Sequence, residues 1–341
     1  MLIGDIGIKV KDKSGKIRDE RQIPMNSFVS NVLSALWYDV FGTVPSILVK
    51  DDDADEDTVN LNEVDATAGT YTHGLLIGTG NTAESCDQYD LATKLTSTIT
   101  YGACNVGDAQ VSGSNAIMTI NRTFTNTDDG GGDIVVTEQG IFCNTTTGFD
   151  FMIIRDLLDS SITLSDDEAM EVTYTLTCGS GMTLNFMKYL ESIFDDESVD
   201  YKATTYTDTE TSKDFSADSD ARLLKAAEDA TDYGIIIGDD DTAEDVEDYK
   251  LVSQLTTDMK HYEVEDVSIA RDTGTGVTKI KLQRQITNNT GSSVDINEVG
   301  IVMKGDGASS RMLIARYVLD STVELANGYS ILVRPRIQVT M

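Results

Sequence analysis

The chain has 341 residues, 40% of them hydrophobic, and sets 26 Lys and Arg against 58 Asp and Glu for a net charge of -32. So few cations argue against a nucleic-acid ligand and disfavour anionic membrane surfaces, because both are held by Lys and Arg. The apolar fraction excludes a disordered acidic tail, and the length is enough for two domains with separate cores. Three prolines, 27 glycines and many Thr, Val and Ile favour strands and turns over a helical bundle.

The chain opens with an alternating stretch at residues 6–10, a charged turn around Gly15 and a return at residues 17–23, which together read as a β-hairpin. It has no basic head followed by an apolar run and a small-residue cleavage site, and no apolar run approaches the ~20 residues that span a bilayer. Neither a signal peptide nor a membrane span is therefore expected. From residue 28 the period changes. Phe28, Val29, Val32, Leu33, Leu36, Trp37 and Val40 form the apolar face of an amphipathic helix, with Asn26 or Ser27 as N-cap and Trp37 expected in the core. A counterpart is expected at residues 182–196, where Phe186, Met187, Leu190, Ile193 and Phe194 have similar spacing.

The most informative stretch, YTHGLLIGTGNTAESCDQYDLATKLT at residues 71–96, occurs twice. Its second copy is DYGIIIGDDDTAEDVEDYKLVSQLT at residues 232–256. Gly74 and Gly78 match Gly234 and Gly238. Thr82, Ala83 and Glu84 match Thr242, Ala243 and Glu244, and Tyr89, Leu91 and Leu95 match Tyr249, Leu251 and Leu255. The separation of about 160 residues is the size of a domain rather than of a solenoid unit. Before each copy lies an irregular segment, residues 41–70 and 197–231, the second with a short helix expected at 221–229. After each copy come alternating strands. Residues 116–126 and 133–143 match 277–288 and 294–303, and FMIIRDLLDSSITL matches RMLIARYVLDSTVEL. The expected fold is all-β in the main, with two tandem homologous β-sandwich domains, each carrying one amphipathic helix. The expected divisions are an N-terminal hairpin or arm at residues 1–24, a first repeat at 25–180 and a second at 181–341. The arm belongs to no repeat and is the segment expected to dock on a neighbouring subunit.

The candidate chemistry is thin. Gly78 to Ala83 fits the GxGxxA pattern of a dinucleotide turn, but the second copy places Asp239, Asp240 and Asp241 there, which would repel phosphate, so a tight structural turn is expected and no cofactor. The acidic runs at residues 51–57 and 239–248 do not follow a calcium-loop pattern, and no metal site is assigned. The four cysteines, Cys86, Cys104, Cys143 and Cys178, form no CxxC pair and are expected as buried free thiols. Three Asn-x-Thr triplets begin at Asn121, Asn144 and Asn288, a pattern common by chance in a Thr-rich chain. Glu138 and Glu298, with Arg155 and Arg316, recur in the middle of alternating apolar strands. They are structural ion-pair candidates rather than catalytic groups. No nucleophile–base motif, zinc-protease motif or phosphate loop is present, so the chain is read as non-enzymatic with no catalytic residue.

Several short motifs carry a resemblance. Ser27, Phe28 and Asn31, then Gly78, Thr79 and Gly80, Asp90 to Ala92, Glu298 to Ile301, and the run from Arg316 together resemble a pattern in structural proteins of tailed bacteriophages and tailed archaeal viruses. The resemblance implies a virion component on the capsid surface or at a vertex, such as a decoration or turret-like protein. The alternatives are a neck, tail or fibre component, or a host-surface glycan-adhesion module. It implies other virion proteins as partners, a homo-oligomer and location in the virion, while the charge balance leaves neither nucleic acid nor membrane as an expected ligand. The adhesion reading requires exposed loop aromatics, for which Tyr201 and Tyr206 are the candidates. A glycan hydrolase requires two carboxylates paired in a cleft, and no spacing in the sequence selects two.

Overall fold

The computed structural model describes residues 2–25, 28–41, 48–51, 53–59, 61, 63–128, 130–145, 148–179, 181–195, 199–202, 210–213, 224–272, 277–304 and 311–340. The described residues are mostly strand, with two helices. The first half contains β1 (Leu2–Lys11), β2 (Ile17–Met25), α1 (Ser30–Phe41), β3 (Val49–Lys50), β4 (Glu56–Asp57), β5 (Gly74–Gly78), β6 (Ile99–Val106), β7 (Gln110–Ser112), β8 (Asn115–Asn126), β9 (Ile134–Cys143), β10 (Phe151–Leu164) and β11 (Ala169–Cys178). The second contains α2 (Leu184–Phe194), β12 (Val199–Lys202), β13 (Glu210–Lys213), β14 (Gly234–Gly238), β15 (Met259–Asp272), β16 (Val277–Asn288), β17 (Val294–Lys304), β18 (Arg311–Leu325), β19 (Ser330–Val333) and β20 (Arg336–Thr340).

The sheets are antiparallel and arise from period-2 patterning. Along β8 and β11 every second residue is buried and its neighbours face outward. In the first half one sheet runs β2-β1-β11-β8-β6, with β7 also on β8, and the other runs β10-β9-β5. In the second half β14-β17-β18 repeats the order β5-β9-β10. Likewise β15-β16, with β19 and β20 both on β16, repeats β6-β8-β11. Register repeats as well: Gly78 stands opposite Glu138, and Gly238 opposite Glu298. Side chains bind across the two sheets of the first half. Tyr174 Oη on β11 donates to Asp156 Oδ2 on β10 at 3.0 Å, and Arg122 Nη1 on β8 donates to the Leu75 carbonyl on β5 at 3.1 Å.

Three placements go beyond the sequence reading. The N-terminal hairpin lies on its own chain. β1 pairs with β11 from Leu2–Cys178 to Lys11–Ala169, and Ile6, Ile8 and Val10 enter the core. Arg18 and Arg21 of β2 strap it across the facing sheet, donating to the Thr163 carbonyl at 2.6 Å and the Ser160 carbonyl at 2.7 Å. Burial of three aliphatic side chains, at roughly 1.5–3 kcal/mol each, is the physical reason it is laid down here rather than left as a projecting arm.

Second, the helices join the halves. α2 packs on β18 of its own half and on β8 of the other, and α1 touches β10, β15 and β16. The Phe194 carbonyl at the end of α2 accepts the Val64 and Asp65 amides at 2.8 and 3.0 Å, satisfying a helix-terminal acceptor that has no intrahelical donor. The largest cluster of buried apolar residues accordingly runs through both halves, from Ile6 to Ile314. Third, the short helix expected at 221–229 is not formed over residues 224–229, and residues 221–223 lie outside the described residues. Asn26, Ser27 and Tyr206 also lie outside them, as do the side chains of Trp37 and Tyr201.

Candidate functional site

The repeated motif closes over a buried ion pair. Strand β5 delivers the chain to Gly78, the loop runs to Leu95, and the Leu95 amide returns to the Ile77 carbonyl at 3.0 Å. Beneath this loop the Glu138 carboxylate is fully buried. Its Oε1 accepts the amides of Gly80 at 2.9 Å and Thr93 at 2.8 Å. Its Oε2 accepts the Ala92 amide at 3.1 Å and two guanidinium bonds from Arg155, Nε at 3.0 Å and Nη2 at 2.7 Å. Arg155, also fully buried, completes its fork on the Thr82 carbonyl at 3.0 Å and Gln88 Oε1 at 2.9 Å. Glu84 reaches back to accept the Leu157 amide at 2.6 Å.

The second half builds the same object. Glu298 accepts the Ser253 and Val252 amides at 3.0 and 3.3 Å, and Arg316 Nε donates to its Oε2 at 2.7 Å. Arg316 also donates to the Thr242 and Ala243 carbonyls at 2.8 and 3.2 Å and to Asp248 Oδ2 at 2.9 Å. Glu244 accepts the Val318 amide at 2.8 Å. All four residues selected from the sequence are therefore brought together in two pairs, one in each half. A guanidinium–carboxylate contact with its remaining donors and lone pairs satisfied is the arrangement in which a buried pair is tolerated.

This geometry explains the glycines. A Cβ on Gly78 or Gly80 would lie 2.6 or 2.4 Å from Glu138 Oε1, and one on Gly238 would lie 2.3 Å from Glu298 Oε1. The backbone must touch the carboxylate, and only glycine allows that approach. In the first half the Gly80 amide, which in a dinucleotide turn would face a pyrophosphate, is directed at the protein's own carboxylate. The acidic loop of the second half also serves its own backbone: Asp240 accepts the Thr242 amide at 2.8 Å and Asp245 the Glu247 amide at 2.9 Å. Among the described residues, no group of three or more His, Cys, Asp or Glu is placed to hold a metal.

Two residues absent from the sequence-based selection matter as much. Arg122 on β8 and Arg284 on β16 are buried and use backbone carbonyls as acceptors. Arg122 donates to Gly102 at 2.8 Å and to His73 and Leu75 at 3.1 Å each. Arg284 donates to Tyr262 at 2.8 Å, Ile235 at 2.9 Å and Tyr233 at 3.2 Å. Burial lowers the pKa of both, that of Arg284 to about 10, so each stays charged at neutral pH. Each pins the segment that enters β5 or β14. The signal was present in the sequence, since each occupies an inward phase of an alternating apolar strand at matching positions in the two halves.

His261 is buried beside Arg284, and neither ring nitrogen has a partner among the described residues. Burial, and then the Arg284 charge, push its pKa down to about 4. Cys86, Cys104, Cys143 and Cys178 are buried and none is in a disulfide, and burial pushes Cys104 up to about 11 and Cys178 up to about 12, which suppresses thiolate reactivity at those two.

A shallow cavity of about 340 Å³ lies where the halves meet, lined by Ser114, Asn115, Met182, Glu244, Asp245 and Arg316 among others. Its charged groups are occupied: Arg316 by Glu298 and Asp248, Glu244 by the Val318 amide, and Asp245 by the Glu247 amide. Comparison of the chain with protein-family models, curated proteins and solved structures finds no match.

Proposed function

We propose that the chain is a non-enzymatic structural protein of a tailed virus particle, built from two homologous β-sandwich units in tandem and placed on the capsid surface or at a vertex. One observation carries this reading. Among the motifs that resemble tailed-virus structural proteins, Gly78 to Gly80 and Asp90 to Ala92 lie in the loop over the first buried pair, and Glu298 and Arg316 form the second. The residues repeated between the halves are engaged in holding backbone, which suits a scaffold whose loops diverge while its frame persists. The net charge of -32 suits an exterior position, where it opposes adhesion to nucleic acid.

The test is direct. Particles purified from the virus that encodes the chain should contain it in a fixed stoichiometry, measured by quantitative mass spectrometry, and antibody-decorated particles should show label on the head. Particles lacking the chain overturn the proposal. Label confined to the neck or tail moves its placement to the alternative position.

A further inference from the structure

The two halves differ most at one edge. In the first half the outer edge of β11 is covered by β1, and β2 lies beyond it. In the second half β19 and β20 take the place of β11, and among the described residues no strand pairs with their outer edge. The correspondence is set by register. Met170 stands opposite Phe124 as Ile331 stands opposite Ile286, and Val172 opposite Arg122 as Val333 opposite Arg284. Asp156 and Ile162 on β10 correspond to Tyr317 and Val323 on β18, opposite Gln139 and Val136 in one half and Val299 and Ile296 in the other. The Glu168 and Tyr329 carbonyls correspond too, accepting the Asn126 and Asn288 amides.

In the first half these positions are closed: Asp156, bonded to Tyr174 of β11, is 2% exposed, Ile162 2%, and Glu168, bonded to Arg18 of β2, 9%. Their counterparts are open: Tyr317 is 51%, Val323 38% and Tyr329 68% exposed, while Ile331 and Val333 are only partly buried. The second half thus exposes apolar side chains along one edge, and the first half shows what lies along the corresponding edge. That element is a strand with aliphatic side chains at alternate positions, as in Ile6, Ile8 and Val10.

Pro335, between β19 and β20, does not block the edge. Its carbonyl accepts the Leu282 amide at 3.3 Å, so its missing N–H is on the β16 side. By alternation the backbone groups of Leu332, Arg334 and Arg336 point outward, available to a further strand. Arg334 and Arg336 are exposed where the first half has Thr173 and Thr175, and the β1 residue opposite Thr175 is Asp5. The edge is therefore locally basic in a chain of net charge -32, which favours an acidic donor.

We infer that the outer edge of β19 and β20 is a strand-acceptor site for a partner polypeptide. The partner adds an antiparallel strand with aliphatic residues at alternate positions over Tyr317, Val323, Ile331 and Val333, and with an acidic residue opposite Arg336. Main-chain bonds give affinity and the aliphatic row gives specificity, as in other β-augmentation complexes. The inference rests on the difference between the halves and stands whether or not the protein belongs to a virion.

The probe is a labelled synthetic peptide of residues 2–25, the hairpin that closes the homologous edge, titrated into the full chain by fluorescence anisotropy. Saturable binding is expected, together with slowed amide exchange at Leu332, Arg334 and Arg336. The exposed-site double variant Tyr317→Asp/Val323→Asp, and separately an Ile6→Asp/Ile8→Asp peptide, should each weaken binding by about tenfold or more. No saturable binding up to about 1 mM overturns the inference. So does binding that the double variant leaves unchanged, because the peptide is then exchanging with β1 on β11. Self-association of the chain that the double variant abolishes, with no peptide binding, assigns the edge to a second copy and also overturns it.

Discussion

Glu298 and Arg316 show how a buried charge is made tolerable, and how costly it becomes once its partner is removed. The carboxylate has no water to return to, so Arg316→Met leaves it facing two amides and apolar surface. The expected cost is about 3–5 kcal/mol of unfolding free energy, measured by urea denaturation. The double variant Glu298→Gln/Arg316→Met should recover much of that loss, whereas a silent Arg316→Met would show that the pair is not structural. Gly238→Ala places a methyl group 2.3 Å from Glu298 Oε1 and should cost about 1–3 kcal/mol by overpacking. His261 carries a pH dependence. Its folded pKa of about 4 lies below the ordinary 6.5, so between these values the unfolded chain binds more protons. Stability attributable to this residue is complete above about pH 6.5 and falls towards pH 4, by up to about 3 kcal/mol. His261→Phe should flatten that part of the stability–pH curve, and an unchanged slope would assign the acid sensitivity to other groups.

At the scale of elements, the hairpin of β1 and β2 is the clearest case of position overriding sequence appearance. Its alternation and charged turn suggested a separable arm, because nothing in residues 1–24 repeats later. In the structure the alternation is the signature of a strand with one face in the core. Deleting residues 2–25 should therefore uncover Leu158, Ile162 and Val172 and lower the urea midpoint sharply. The milder Ile8→Asp should do the same in smaller measure. A chain that keeps its wild-type midpoint after the deletion would restore the arm reading. The same logic separates β11 from β19 and β20. The inward residues are comparable in character, yet one set is closed by a strand and the other is open.

For the whole molecule, the decisive feature is the position of α2. Read along the chain it opens the second repeat, but it packs on β8 of the first half and its last carbonyl is capped there. A core shared in this way couples the halves. Heating should give one calorimetric transition, with matching van't Hoff and calorimetric enthalpies. The fragment of residues 181–341 should not fold alone, as measured by the absence of a cooperative circular-dichroism transition. Two resolved transitions, or a stably folded fragment, would show that the shared core contributes little.

Four short strands, β3, β4, β12 and β13, form within the two segments expected to be irregular, because pairing of two to four residues leaves no readable period in the sequence. The sequence by itself determined the long alternating strands, both helices, the internal repeat and the four residues that form the buried pairs. Each of these is written in local periodicity or in a match between two stretches of one chain. It also contained Arg122 and Arg284 in plain view, as charges in the inward phase of apolar strands, though their partners are backbone carbonyls that no residue type announces. Only the tertiary structure decided where the hairpin lies, that the halves share a core through their helices, and that one of two equivalent edges is uncovered. Those outcomes depend on which surfaces meet, and side-chain periodicity specifies only that a face is apolar, not what it is buried against.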